Sequence, residues 1–145
     1  MSYSWYPGHM AKAVRELRPL LKLIDVVIEI VDARAPLSSS NPMLKEIAAG
    51  KPTILVLNKA DLADQSATEK WIRHFSNGGR HPFATNAENG EGIMRAMNAI
   101  GSMEIKSRTK ARALIVGMPN VGKSSLINRI AKKASARTGD KPGIT

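Results

Sequence analysis

The chain has 145 residues, 43% of them apolar and 23% charged, a length and balance suited to one globular domain that buries roughly 68 to 70% of the surface its unfolded form exposes. No apolar run approaches the roughly 18 residues of a membrane span. Cysteine is absent, and Met1-Ser2-Tyr3-Ser4-Trp5-Tyr6-Pro7 lacks a basic start followed by an apolar core, so disulfides, thiolate metal sites, membrane spanning and secretion all lose support and a cytoplasmic address follows. The net charge of +10 is uneven: residues 102–145 hold 10 Lys/Arg against 2 Asp/Glu, and residues 1–101 hold 12 against 10. That excess suits a polyanion, RNA being the candidate, or else a merely solvated basic face.

In chain order, Met10, Val14, Leu17, Leu20, Leu21 and Ile24 recur at helical steps with Lys12, Arg15, Glu16, Arg18 and Lys22 between them, so residues 1–24 read as an amphipathic N-terminal segment. Pro19 predicts a bend or an end near Arg18. Residues 25–31 form a β-branched run, the first strand, ending in Asp32-Ala33-Arg34-Ala35-Pro36. Asn41 as N-cap, Pro42 in the first helical position and Gly50 beyond predict a short crossover helix over 42–49. A second strand over 53–57 ends in Asn58-Lys59-Ala60-Asp61, and a helix from about Ser66 to Phe75 stops at Asn77-Gly78-Gly79. A short third strand over 82–85 leads to Asn86-Ala87, and Ile93, Met94, Met97 and Ile100 form a helical stripe with the methionines as core filler. After a basic link over 101–112, Ala113–Val116 is the fourth strand. Strands alternating with helices define an α/β fold of three layers, a mostly parallel sheet covered on both faces, with ligands beyond the carboxyl ends of its strands.

The fourth strand runs into Gly117-Met118-Pro119-Asn120-Val121-Gly122-Lys123-Ser124-Ser125, a G-x-x-x-x-G-K-S phosphate loop. Its glycines let successive N–H groups turn inward, the following helix adds its positive end, Lys123 reaches the β and γ phosphates, and Ser124 offers a hydroxyl to magnesium. In Asn58-Lys59-Ala60-Asp61 the carboxylate can accept from both N1–H and the 2-amino group of guanine, whereas adenine would leave it unpaired. Asn58 can hold the purine edge and the loop, the Lys59 stem can lie along the base, and Asn86-Ala87 falls where a backbone N–H could meet the guanine O6. The competing reading is a P-loop kinase or ATPase in which the four-residue motif is accidental.

The base motifs precede the phosphate loop, the reverse of ordinary small GTPases. With Trp5-Tyr6-Pro7-Gly8-His9-Met10 at the start, Asp32-Ala33-Arg34 after the first strand and Lys141-Pro142-Gly143-Ile144-Thr145 at the end, the chain resembles the YlqF/RbgA family of circularly permuted ribosome-assembly GTPases throughout. Tyr6 replaces a commoner Phe, and Asn86 stands where many GTPases have Ser. The resemblance implies a P-loop GTPase fold over 25–145, GTP and GDP as ligands, the large ribosomal subunit precursor and its RNA as partners, and no membrane. It also implies nucleotide contacts from Asn58, Lys59, Asp61, Asn86, Ala87, Asn120, Val121, Gly122, Lys123, Ser124 and Ser125, and magnesium at Ser124 and Thr145. Potassium at Asn120 and His9 as the catalytic water-orienting group are implied by the same resemblance. Asp140-Lys141-Pro142-Gly143 matches D-x-x-G in letters but follows Ser125 too soon and has no strand before it, so it is assigned to a switch loop. On this reading the sequence is the front portion of a longer protein that continues into a γ-phosphate sensor and a C-terminal helical domain. A chain of this extent that binds nucleotide or RNA without turnover is the alternative.

Overall fold

The computed structural model describes residues 7–40, 44, 48, 50–103 and 111–138, and the side chains of all these except 7–11, 13, 14 and 133–138. In chain order the elements are α1 (Pro7–Leu21), β1 (Val26–Asp32), β2 (Thr53–Asn58), a 3-10 turn (Ala60–Leu62), α2 (Gln65–Asn77), β3 (His81–Ala84), α3 (Ile93–Gly101), β4 (Ala113–Gly117) and α4 (Lys123–Thr138). The strands form one parallel sheet in the order β3-β2-β1-β4. Register sets Asp32 beside Asn58 and Ile30 beside Gly117, so the predicted motifs leave the sheet at one end.

Because successive side chains alternate across a strand, Ile28, Ile30, Ile54, Val56 and Ile115 share one face, where they meet Ile93 of α3, Val121 and Leu126 of α4. On the other face Val27, Leu114 and Val116 pack with Ile24, Leu44, Leu17 and Leu21. Beside them Val31, Leu55 and Leu57 pack with Trp71 and Phe75 of α2. Three layers result. Between those two clusters lies Glu29, 0% exposed, which accepts from the Ser40 hydroxyl at 3.1 and 3.3 Å and pairs with Arg80 at 3.1 Å. A carboxylate taken out of water needs such partners to offset its lost hydration.

Four expectations shift. Pro19 does not end α1 at Arg18; it lies in the final turn, where one missing amide is tolerated until Leu21. The apolar stripe of α1 is narrower than its spacing suggested, since Leu17 and Leu21 reach the core while Leu20 is 42% exposed. Met94 is 38% exposed because Ile93 takes the inward position and the next residue turns about 100° away; Met97 alone of that pair packs on the core. The α2 helix starts at Gln65, capped by the Asp64 carboxylate, which accepts from Ala67 N at 2.8 Å. Of the helix expected over 42–49 only Leu44 and Ala48 are described, joined by Ala48 N donating to Leu44 O at 2.8 Å. The Asn41-Pro42 cap, the segment 139–145 and most of the basic link lie outside the described residues.

Candidate functional site

At the carboxyl end of β4 the chain enters the phosphate loop through two glycines with different duties. A Cβ on Gly117 would sit 2.5 Å from Ile30 Cγ2, so its need is close approach to β1. Gly122 has φ +94°, and a Cβ there would also lie 2.2 Å from Asn58 Nδ2, so both conformation and space exclude a side chain. Asn120 is left-handed as well, with φ 67°, a conformation Asn tolerates better than most residues. The loop then opens α4, whose first residues Lys123, Ser124 and Ser125 are exposed.

The base motif is fastened to this loop by its own side chains. Asn58, 2% exposed, donates from Nδ2 to Val121 O at 2.8 Å, and its Oδ1 accepts from Thr85 Oγ1 at 3.0 Å and Ala87 N at 2.9 Å. Lys59, in the left-handed region at φ 60°, donates from Nζ to Asn120 O at 2.6 Å. Asn86 shapes its own turn, its Oδ1 accepting from Glu88 N at 3.0 Å and Asn89 N at 3.2 Å. Asp61, in the 3-10 turn, is exposed. Asn58, Lys59, Asp61, Ala87, Gly122 and Ser125 line one cavity of about 170 Å³. Three loops far apart in sequence meet there.

Of the predicted site residues, the structure therefore gathers Asn58, Lys59, Asp61, Asn86, Ala87 and the loop 120–125 at one pole of the sheet. Asn58 and Lys59 spend described bonds on other loops, and the Ala87 N–H faces the Asn58 carboxamide. The His9 side chain and all of Thr145 lie outside the described residues. Beside the cavity, the Arg34 guanidinium grips Asp32 with both arms, Nε to Oδ1 at 3.0 Å and Nη2 to Oδ2 at 2.7 Å. That fork holds the Asp32 carboxyl below its usual range against the opposing cost of burial, with Lys59 adding a smaller pull. In return Asp32, and more weakly Asp61, push the Arg34 guanidinium up. Sequence reading passed over Arg129, whose Nε donates to Ala87 O at 3.3 Å and whose Nη2 donates to Glu88 O. Its only signal was the four-residue step from Ser125 along one helix face.

A hard divalent cation takes oxygen ligands and keeps several waters; the exposed Ser124 hydroxyl beside the loop is a donor of that kind. Among the described residues no group of three or more His, Cys, Asp or Glu could hold a metal, and no helix is long and apolar enough to cross a membrane.

Four parallel strands with a phosphate loop after the last and a base motif after the second define a P-loop GTPase fold in which the strand order along the chain is circularly permuted. Residues 112–145 match the family described as 50S ribosome-binding GTPase. The chain is 52% identical over 155 residues to ribosome biogenesis GTPase A of Bacillus licheniformis, covering 100% of this chain and 55% of that protein. It is 38% identical over 142 residues to the protein of the same name from Thermotoga maritima, covering 98% and 51%. The GNP-bound crystal structure of YlqF from T. maritima superposes with a TM-score of 0.63 at 38% identity, over 84% of this chain and 48% of that one. The chain belongs to the YlqF/RbgA family, and it spans about half the length of the curated relatives it matches.

Proposed function

We propose that the protein binds GTP, hydrolyses it and acts in the cytoplasm as an assembly factor for the large ribosomal subunit. What carries the nucleotide reading is the convergence of Asp61, the Asn86-Ala87 turn and the phosphate-loop residues Gly122 and Ser125 on one cavity at the carboxyl pole. Its chemistry divides between phosphate and base. The inward N–H groups and the positive end of α4 suit the phosphates, and Lys123 adds a point charge. Asp61 reads the N1 and 2-amino edge of guanine, while the Ala87 N–H is shared between Asn58 and the base oxygen. Magnesium held by the phosphates and by the Ser124 hydroxyl, with Thr145 as a second ligand, would neutralise charge that builds on the transferring phosphoryl group. Asn120 is our candidate ligand for potassium, and His9 our candidate for orienting the attacking water. We assign residues 1–24 to a segment that docks through Leu17 and Leu21, and 25–145 to the GTPase domain. The names of the relatives, ribosome biogenesis GTPase A, support the cellular role, and the basic excess of the chain supports an RNA-rich partner.

The test is turnover of GTP and ATP by the full-length protein, with and without large-subunit precursors, in potassium and in sodium. Faster GTP turnover on precursor particles, more so in potassium, is the expected result. Equal GTP and ATP rates would sink the base assignment, and binding without turnover would leave a nucleotide-dependent adaptor.

A further inference from the structure

We propose that Arg129 is the positioning residue of the base-reading loop, and that it sets how sharply the site distinguishes a purine with a 6-oxo group from one without. This rests on the guanine reading above. Arg129 lies on α4, the helix that begins with Lys123 and Ser124, one turn beyond Ser125 at the cavity wall. Its Nε donates to Ala87 O at 3.3 Å and its Nη2 to Glu88 O, while Nη1 lies against the turn at Gly90, 3.3 Å from where a Cβ would stand. A planar guanidinium gripping two consecutive carbonyls fixes the orientation of both peptide units, which an ammonium could not do. The loop is thereby held from three sides: by Asn58 from β2, by the Asn86 side chain from within, and by Arg129 from the phosphate helix.

The last of these ties runs from the base-reading loop to the helix behind the phosphate loop, beside the bond from Asn58 to Val121 O. Asn58 anchors the Ala87 N–H from the sheet side, whereas Arg129 draws the carbonyls of Ala87 and Glu88 toward α4. Releasing the carbonyls lets the peptide units of the turn tilt, and the Ala87 N–H, which donates to Asn58 Oδ1 at 2.9 Å, is then no longer held at the angle at which a base oxygen can share it. The Asp61 side of the base is fixed separately by the 3-10 turn Ala60–Leu62 and by Ala60 N donating to Thr85 O at 3.0 Å. Loss of Arg129 therefore weakens one edge of base recognition and spares the other.

The experiment measures affinities of wild-type, Arg129→Gln and Arg129→Lys full-length proteins for GTP, for ITP, and for the triphosphate of 2-aminopurine riboside. ITP keeps the 6-oxo group and N1–H and lacks the 2-amino group; the 2-aminopurine nucleotide keeps the 2-amino group and lacks the 6-oxo group and, with it, N1–H. Arg129→Gln should weaken GTP and ITP by up to about tenfold, the scale of the one neutral hydrogen bond from Ala87 N–H that it orients, and leave 2-aminopurine nucleotide binding within about twofold. Arg129→Lys, which retains charge but cannot grip both carbonyls, should fall between. Equal weakening of all three nucleotides, or unchanged GTP and ITP affinity, overturns the proposal. Should Arg129→Gln melt at the assay temperature, the Lys variant decides by the same ratio. A wild-type protein that prefers GTP no more than ATP would refute the guanine reading instead, so the two failures are distinct.

Discussion

The two ends of the sheet are both tied by polar side chains, yet the ties serve different ends. At the amino end they join neighbours that the sheet already pairs: Lys51 Nζ donates to Ile24 O at 2.7 Å and Arg112 N to Asp25 Oδ2 at 2.8 Å, at the starts of adjacent strands. At the carboxyl end Asn58 reaches Val121, Lys59 reaches Asn120 and Arg129 reaches Ala87, linking loops that no strand pairing would hold together. The cavity they frame leaves Asp61, Lys123 and Ser124 exposed. The contrast separates two kinds of polar residue at this pole. Asn58, Lys59 and Arg129, buried or half-buried, hold the loops, and we propose that the exposed Asp61, Lys123 and Ser124 read the ligand.

Substitutions should divide along that line. The largest effect is expected for Asn58→Ala, which strips partners from Val121 O, Thr85 Oγ1 and Ala87 N in a buried setting. A loss of about 3 kcal/mol of unfolding free energy, read by urea denaturation without nucleotide, is expected from orphaned buried groups. A loss below about 1 kcal/mol would show that the loops hold without it. Lys123→Ala should do the opposite, lowering GTP affinity by about 10- to 100-fold through one lost charged contact while the nucleotide-free melting temperature stays put. If its affinity matches wild type, the exposed residues are not the readers.

The smallest expected effect concerns Asp32. Its carboxyl is held below the ordinary 3.8 by the Arg34 fork, so its contribution to stability is complete above about pH 4 and fades as acid protonates the folded form. Asp32→Asn should lose that contribution at neutral pH and show a flatter decline in stability below pH 4 than wild type. Parallel acid profiles for the two proteins would mean that the fork adds nothing. GTP affinity should be little changed.

Much of the carboxyl pole was legible in the sequence because its cues are local. The G-x-x-x-x-G-K-S spacing carries its own backbone requirement, visible in Gly122 at φ +94°, and the β-branched runs announce the strands that deliver each motif to the same end. Gly117 shows the limit, since its neighbour is Ile30 on another strand and its need is space rather than conformation. That Asn58 holds the loop was expected from its motif, but its partner Val121, and the Asn120 carbonyl that Lys59 reaches, stand beyond any local pattern. Arg129 passed as one more cation in a basic region. Met94 misled because an apolar side chain beside Ile93 fits a loose helical count, and only packing decides which of two adjacent residues turns inward.

The most direct measurement of the central claim is a titration of wild-type and Asp61→Asn full-length proteins with GTP, ATP and XTP. A carboxylate facing guanine predicts that the wild type favours GTP over ATP by up to about 10⁴-fold, since a bound adenine would cover the Asp61 carboxylate and leave it without a hydrogen-bond partner. An amide in its place donates to the 2-oxo group of xanthine, so Asp61→Asn should weaken GTP and strengthen XTP until XTP is preferred. Unchanged selectivity among the three nucleotides in the variant would contradict Asp61 as the reader of the base.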